Sequence, residues 1–182
     1  MRFILALIPQ KSQIAAYVQA ANLAFGPIND GYLLNEESSI PHVTVCAFYC
    51  EERMAHEIWK EVMKWKIETC PIRILGLMLK KGEVPPYHYS VSLAVERNES
   101  LIKLHRRVVE LLQRHNCSTV TPSLDLYQPH ITLAGIQWKP SNSIQLSPLI
   151  DKLIRMDHGP FNLALACSDE IGQYKETLAT TR

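Results

Sequence analysis

The amino-acid sequence predicts an α+β fold of two pseudo-symmetric lobes, each a mainly antiparallel sheet with helices on the outside, which enclose a central cleft. An eight-residue segment occurs twice, as PHVTVCAF at 41–48 and as PHITLAGI at 129–136. Segments with strand and helix periodicity follow one another in the same order around both copies. The chain is therefore predicted to be a single bilobal domain, 1–182, with lobe-forming repeats at approximately 1–84 and 85–182.

The first repeat begins with the apolar run from Phe3 to Ile8, which is typical of a buried strand. A helix from Pro9 to Phe25 follows, because apolar residues recur at helical spacing, and Gly26-Pro27 ends it. After the first motif strand, helical spacing returns over Glu51 to Ile67, with acidic residues in the first turn. Pro71 to Leu79 is then predicted to be another apolar strand.

The second repeat has the same elements in the same order. Tyr89 to Val95 is predicted to be a strand, and an apolar stripe between about Ser100 and His115 predicts a helix. After the second motif strand, Ser147-Pro148 opens a further helix by N-cap and N1 preference, which ends near Gly159. The remaining predicted strands are Pro160 to Leu165 and about Tyr174 to Thr180.

Sequence intervals support the duplication. His42 lies 39 residues after Phe3, and His130 lies 40 residues after Ser90. A loop of unusual length precedes each motif, which indicates short extra strands or segments that form the cleft. These loops are Gly26 to Ile40 and Asn116 to Gln128.

The composition argues against partners that need a strong electrostatic field. The chain has 19 basic and 18 acidic residues and a net charge of +1, so neither duplex DNA nor a membrane surface is expected as a partner. No apolar stretch approaches the roughly 20 residues of a membrane-spanning helix. The 5 cysteines include no CxxC pair, which is typical of reduced thiols. We expect a cytoplasmic monomer.

Each motif copy is a short strand with an imidazole and a hydroxyl on one face. Side chains alternate along a strand, so His42 shares a face with Thr44, and His130 shares a face with Thr132. If a twofold axis relates the lobes, both faces line one groove. A neutral imidazole can then take a proton from water while a protonated imidazole gives one to the leaving oxygen. The two threonine hydroxyls would hold the phosphate in place.

The paired Pro-His-x-Thr motifs, in this order of elements, resemble the 2H (two-histidine) phosphoesterase superfamily and especially its LigT-like branch of 2′-5′ RNA ligase-like RNA cyclic phosphodiesterases. The resemblance covers the layout of the whole chain, and its specific part is the two tetrapeptides. It implies a LigT-like fold, His42 and His130 as the catalytic pair, and Thr44 and Thr132 as phosphate-binding residues. It also implies action on 2′,3′-cyclic phosphate RNA ends or nucleotides, or on 2′-5′ linked oligonucleotides, without a metal or other cofactor.

Three aromatic residues near the motifs are candidates for substrate binding: Tyr127, Phe48 and Tyr89. His88 either stacks on a base together with its tyrosine neighbours or packs at a strand end. Lys80-Lys81 is predicted to be a turn that either contacts an anionic ligand or is solvated. The other histidines are predicted to lie on the surface, at His56, His105, His115 and His158.

Other functions have to be weighed against a phosphodiesterase. A zinc hydrolase would need three or four closely spaced ligands, as in His-Glu-x-x-His, and the sequence contains no such group. A histidine-triad enzyme would need His-x-His-x-His, whereas here threonine occupies the second position. A non-catalytic module that binds RNA ends or nucleotides and a reversible 2′-5′ RNA ligase both stay open.

Overall fold

The computed structural model describes residues 1–66, 70–81, 89–121, 123–137, 148–169 and 173–181. Within these residues the chain forms strands, α-helices and two 3₁₀ turns. In chain order they are β1 (Arg2–Ile8), α1 (Lys11–Phe25), a 3₁₀ turn (Gly26–Ile28), β2 (Asn29–Leu33), β3 (Val43–Tyr49), α2 (Glu52–Val62), β4 (Ile74–Lys81), β5 (Tyr89–Val95), α3 (Glu99–Arg114), β6 (Ser118–Thr119), a 3₁₀ turn (Leu124–Leu126), β7 (His130–Ile136), α4 (Pro148–Arg155), β8 (Asn162–Ser168) and β9 (Tyr174–Thr180).

The strands form two antiparallel sheets. Sheet A has the order β6-β3-β1-β8-β9, and sheet B has the order β2-β7-β5-β4. The first motif strand, β3, lies in sheet A, and the second, β7, lies in sheet B. The predicted α+β fold class, with one motif in each of two antiparallel sheets, is therefore confirmed.

Each repeat places its third strand in the sheet of the other repeat. In sheet A, β1 pairs with β3 of its own repeat and with β8 of the second repeat. In sheet B, β5 pairs in the same way with β7 and with β4 of the first repeat. The expectation that 1–84 and 85–182 each form one lobe is corrected by this topology. The first strand of each repeat has a second edge to pair, and the strand that fills it comes from the other repeat.

The two exchanged strands pass each other at Pro71 and Pro160, which form an isolated antiparallel bridge. The two prolines hold equivalent places in the repeats, because Pro71 precedes β4 and Pro160 precedes β8. An antiparallel bridge between equivalent residues has local twofold symmetry. The pseudo-twofold axis that relates the two repeats therefore passes through this crossing.

Both long loops contain a short edge strand, as the loop lengths predict. β2 pairs with β7 at the edge of sheet B, and β6 pairs with β3 at the edge of sheet A. Each edge strand comes from the repeat that does not supply the motif strand beside it. Both motif strands are thereby interior strands with a hydrogen-bonded neighbour on each side.

Helices α1 and α3 pack against different sheets. α1 contacts α4, β2 and β7, whereas α3 contacts β3 and β6. α2 ends at Val62, short of the predicted Ile67, because the backbone turns after Met63. No helix in the described part of the chain is long and apolar enough to cross a membrane. Helix α3 buries one apolar stripe, made of Leu101, Leu104, Val108, Leu111 and Leu112.

Two histidines that were predicted to lie on the surface are buried. His105 in α3 donates from Nδ1 to the carbonyl oxygen of Val45 in β3, at 2.6 Å. His158, after α4, is hydrogen-bonded through Nδ1 to the hydroxyl of Tyr17 in α1, at 2.5 Å. Both contacts join elements that are far apart in the sequence. The residues next to each histidine in the sequence therefore do not indicate that it is buried.

The α3 stripe gives a direct test of the fold. We expect Leu111→Ala to lower the free energy of unfolding by about 2–5 kcal/mol, because Leu111 is fully buried and its removal leaves a cavity. Leu23→Ala in α1 is the matched control, since that side chain is 62% exposed and should change stability little. Urea unfolding of both variants measures the difference, and equal effects would contradict the packing described here.

Candidate active site

The two motif histidines are held in the same way. His42 lies directly before β3, and its Nδ1 donates to the carbonyl oxygen of Ile40 at 2.9 Å. His130 is the first residue of β7, and its Nδ1 donates to the carbonyl oxygen of Gln128 at 2.8 Å. A carbonyl can only accept, so Nδ1 carries the proton of each neutral ring. Nε2 is therefore the nitrogen that each imidazole offers to a ligand.

The two imidazoles are close enough to influence each other electrostatically. The pKa of His42 is lowered to about 4, chiefly by burial and in part by a positive charge on His130, against the opposing effect of the hydrogen bond to Ile40. Burial also lowers the pKa of His130, and the charge of Lys80 acts in the same direction. The structure therefore brings together the two residues that the duplicated motif singles out. Without a bound anion, both rings are held neutral near pH 7.

Thr44 and Thr132 lie two residues after the histidines, on the same faces, and both are partly buried. In register, Thr44 pairs with Ala6 of β1, and Thr132 pairs with Ser92 of β5. The Ser92 hydroxyl donates to the Thr132 hydroxyl at 3.4 Å. Ser92 is a site residue that the sequence analysis did not identify. The alternation of serine with apolar residues along β5 could have identified it from the sequence.

A β-bulge follows the threonine in both motifs. The register of β1 with β3 shifts between Leu5 and Ala6, so Val45 is an extra residue in β3. The register of β5 with β7 shifts at the equivalent place, so Leu133 is an extra residue in β7. A bulge bends a strand and redirects the side chains around it. The two copies thus share their local backbone shape as well as their residues.

The bulges are supported by different groups. In β3, the carbonyl of Thr44 accepts a hydrogen bond from the Tyr127 hydroxyl at 2.8 Å, and the carbonyl of Val45 accepts one from His105. The rings of Tyr127 and His105 stack, with their centroids 4.2 Å apart. In β7, the carbonyl of Leu133 accepts from a backbone N–H instead, at 3.1 Å. Tyr127 therefore stabilises the backbone of the first motif from within the hydrophobic core.

The predicted substrate-binding roles of Tyr127 and Phe48 are corrected by their positions. Tyr127 is only 3% exposed, and its hydroxyl is occupied by the Thr44 carbonyl. Phe48 is fully buried against Phe3, with ring centroids 5.9 Å apart. Strict alternation from His42 would place Phe48 on the face of the motif. The bulge inserts one residue and so turns this side chain into the core.

The remaining candidates lie elsewhere. Tyr89 is partly buried and pairs with Ile136, at the opposite end of β7 from His130 and about 20 Å along the strand. It is therefore not beside the imidazoles. Lys80 and Lys81 belong to β4 and not to a turn. His88 and Ser147 lie outside the described residues.

No group of three or more metal-ligating side chains lies together among the residues that the structure describes. The Nε2 atom of each motif histidine can accept a proton when the ring is neutral and donate one when the ring is protonated. Two threonine hydroxyls lie on the same faces. Such a set can bind a phosphate and move protons to and from its ester oxygens.

The burial of the histidines predicts how stability depends on pH. The pKa of His42 is lower in the folded than in the unfolded chain, so the unfolded chain takes up a proton first as the pH falls below about 6.5. We expect His42 to reduce the free energy of unfolding by about 2 kcal/mol between pH 7 and pH 5. Urea unfolding of the wild type and His42→Asn at both pH values measures this. If the variant keeps the full pH dependence, His42 is not responsible.

Comparison with known proteins supports the fold. No family model matches the chain. No curated protein matches it significantly either. Two solved structures are similar. The PDE domain of MHV ns2 has a TM-score of 0.50 and 15% identity, over 79% of this chain and 83% of that chain. Usb1 of Kluyveromyces marxianus has a TM-score of 0.51 and 15% identity, over 97% of this chain and 96% of that chain. At such identity the likeness concerns the fold. The chain therefore shares the α+β fold, with two antiparallel sheets and helices packed against them, of these two structures.

Proposed function

We propose that the protein is a metal-independent phosphodiesterase that opens 2′,3′-cyclic phosphates on RNA ends or nucleotides, or cleaves 2′-5′ linked oligonucleotides. The observation that carries the proposal is the matched pair of imidazoles. His42 and His130 each bind a carbonyl two residues earlier through Nδ1, and they lie within electrostatic reach of each other. This arrangement supplies one proton acceptor and one proton donor for a single phosphate.

For a 2′,3′-cyclic phosphate, the reaction is an in-line attack by water. One imidazole takes a proton from the water at Nε2 while the new P–O bond forms. The other imidazole gives its Nε2 proton to the departing ribose 3′ oxygen while the old P–O bond breaks. The product is a 2′-phosphate and a free 3′-hydroxyl. The pair carries one proton before and after the step, on opposite rings, and exchange with solvent resets it.

The hydroxyls of Thr44 and Thr132 would donate to the non-bridging oxygens of the phosphate. Their positions, two residues from the histidines on each motif strand, are fixed by the β-ladders and by the bulges that follow. Rigid donors of this kind stabilise the charge that develops in the transition state. They also hold the phosphorus between the two imidazoles.

The substrate would supply the protonation state that the reaction needs. Burial lowers the pKa of both histidines in the free protein. A phosphate anion between the rings favours the charged form and so raises their pKa values. One imidazolium is thereby formed when the anionic substrate binds.

Variants of the two histidines test the catalytic pair. We expect His42→Ala and His130→Ala each to lower kcat by at least about 100-fold on a 2′,3′-cyclic nucleotide, because each removes one arm of acid–base catalysis. His56→Ala is the matched control, since His56 is exposed on α2. Full activity of either motif variant would contradict the assignment. Binding of a nucleoside 2′-monophosphate without any turnover by the wild type would favour a non-catalytic module.

Chelation tests the role of metal ions. We expect the wild type to keep its full rate after dialysis against EDTA, because proton transfer and charge stabilisation are assigned to imidazoles and hydroxyls. The rate of cyclic-phosphate opening is followed by chromatography, which also shows whether a 2′- or a 3′-phosphate remains. Loss of activity in EDTA that added divalent ions restore would overturn the metal-free mechanism.

A further inference from the structure

The two sheets present very different surfaces around the motif residues. We call the side of each sheet that carries its motif His and Thr the motif face. Residues that pair directly across an antiparallel ladder lie on the same face. The strand registers therefore show which side chains surround the phosphate site on each side. They also show in which direction a substrate can extend from it.

Beside the motif residues, on β1 and β8, the motif face of sheet A is apolar and buried. Its polar side chains lie further away, at the strand ends and on the edge strand β9: Arg2, Asn162, Ser168, Thr177 and Thr180. In register with Thr44 lie Ala6 of β1 and Ala164 of β8, and Ile4 and Ala166 lie one row away. These residues belong to a compact apolar cluster in which every side chain is at most 9% exposed. Its members are Ile4, Ala6, Ile8, Ile40, Ala47, Ala164, Ala166 and Tyr174.

Tyr174 of β9 completes this cluster at His42. The two rings are tilted by 44° with their centroids 5.1 Å apart. Tyr174 is fully buried, and its hydroxyl is hydrogen-bonded to Thr177. Protein side chains thus occupy the space beside His42 on sheet A. A substrate that extended over this side of the phosphate would have to displace these side chains.

Among the described residues, the motif face of sheet B carries polar side chains beside the motif, and it becomes more exposed away from Ser92, which is itself only 1% exposed. In register with Thr132 lie Ser92 of β5 and Met78 of β4. Two residues further along these strands, Ser90 pairs with Lys80. Ser90 and Met78 are partly buried, and Lys80 is exposed. By position, hydroxyls and an ammonium group therefore lead away from the site on β5 and β4, whereas the equivalent positions on β1 and β8 are alanine and isoleucine.

The spacing along sheet B matches a chain with repeated phosphates. The row of Ser90 and Lys80 lies about 7 Å from the row of Ser92, because two residues of a strand separate them. This is comparable to the spacing of successive phosphates along a nucleic-acid strand. The charge of Lys80 also reaches the site, since it affects His130.

We propose that the substrate extends from the reacting phosphate over sheet B, where Ser90 and Lys80 hold a second phosphate. The preferred substrate is then an oligonucleotide end, with a phosphodiester next to the terminal cyclic phosphate. Ser92 holds the Thr132 hydroxyl in place, and Lys80 is a specificity-determining residue. This inference rests on the proposed function, because it takes the reacting phosphate to lie between the two histidines.

The test compares two substrates with the same terminal base. One is a 2′,3′-cyclic mononucleotide with no other phosphate, and the other is a dinucleotide that ends in the same cyclic phosphate. We expect the wild type to prefer the dinucleotide. Lys80→Gln should lower kcat/KM for the dinucleotide about tenfold more than for the mononucleotide, mainly through KM, because the effect of its charge on His130 is common to both substrates. Lys81→Gln is the matched control, because Lys81 is the exposed neighbour on the other face of β4.

The salt dependence gives an independent readout. Removal of one phosphate contact should reduce the slope of log affinity against log salt by about 0.7 for the dinucleotide, and leave it unchanged for the mononucleotide. Equal losses on both substrates, or no loss with Lys80→Gln, would overturn the inference. If the wild type turns over neither substrate, the proposed function fails. Binding of the two corresponding 2′-phosphates, measured by calorimetry for the wild type and Lys80→Gln, then still decides whether Lys80 holds a second phosphate.

Discussion

The pairing of each repeat's first strand with the third strand of the other repeat is the constraint on which the structure depends. The β1–β8 and β4–β5 ladders run the length of their strands, so neither repeat completes a sheet without the other. Unpaired backbone groups in these buried strands would be costly. The crossing at Pro71 and Pro160 sets how the two sheets face each other. The separation of the two histidines is consequently a property of both repeats together.

The two motifs combine a common local design with different surroundings. Both histidines bind a carbonyl through Nδ1, and both threonines precede a bulge. The carbonyls at the first bulge accept hydrogen bonds from the stacked side chains of Tyr127 and His105, whereas the carbonyl at the second bulge accepts one from a backbone N–H. Beside Thr44, the motif face of sheet A carries apolar side chains, whereas beside Thr132 the motif face of sheet B carries hydroxyls. In the proposed reaction, the symmetry would serve proton transfer by both imidazoles, and the asymmetry would distinguish one end of the substrate.

Periodicity in the sequence predicted much of the fold and the grouping of the motif histidines and threonines. Alternation along a strand placed His and Thr together, and the repeated order of elements predicted two related sheets. The same alternation failed at Phe48, because a single bulged residue reverses every later side chain. It also could not show that Tyr127 and His105 are buried, since their partners belong to a strand far away in the sequence.

The sequence by itself determined which residues are proposed to carry the chemistry, because the His-x-Thr pattern and its duplication are local features of the chain. It also determined the strands that present them, through the two-residue period of β structure. Only the tertiary structure decided which strands share a sheet, where the bulges fall and what stands beside each motif. Those outcomes depend on hydrogen bonds and packing between residues that are distant along the chain. The exchanged strands, the buried apolar side chains at Tyr174 and the exposed position of Lys80 are of this kind.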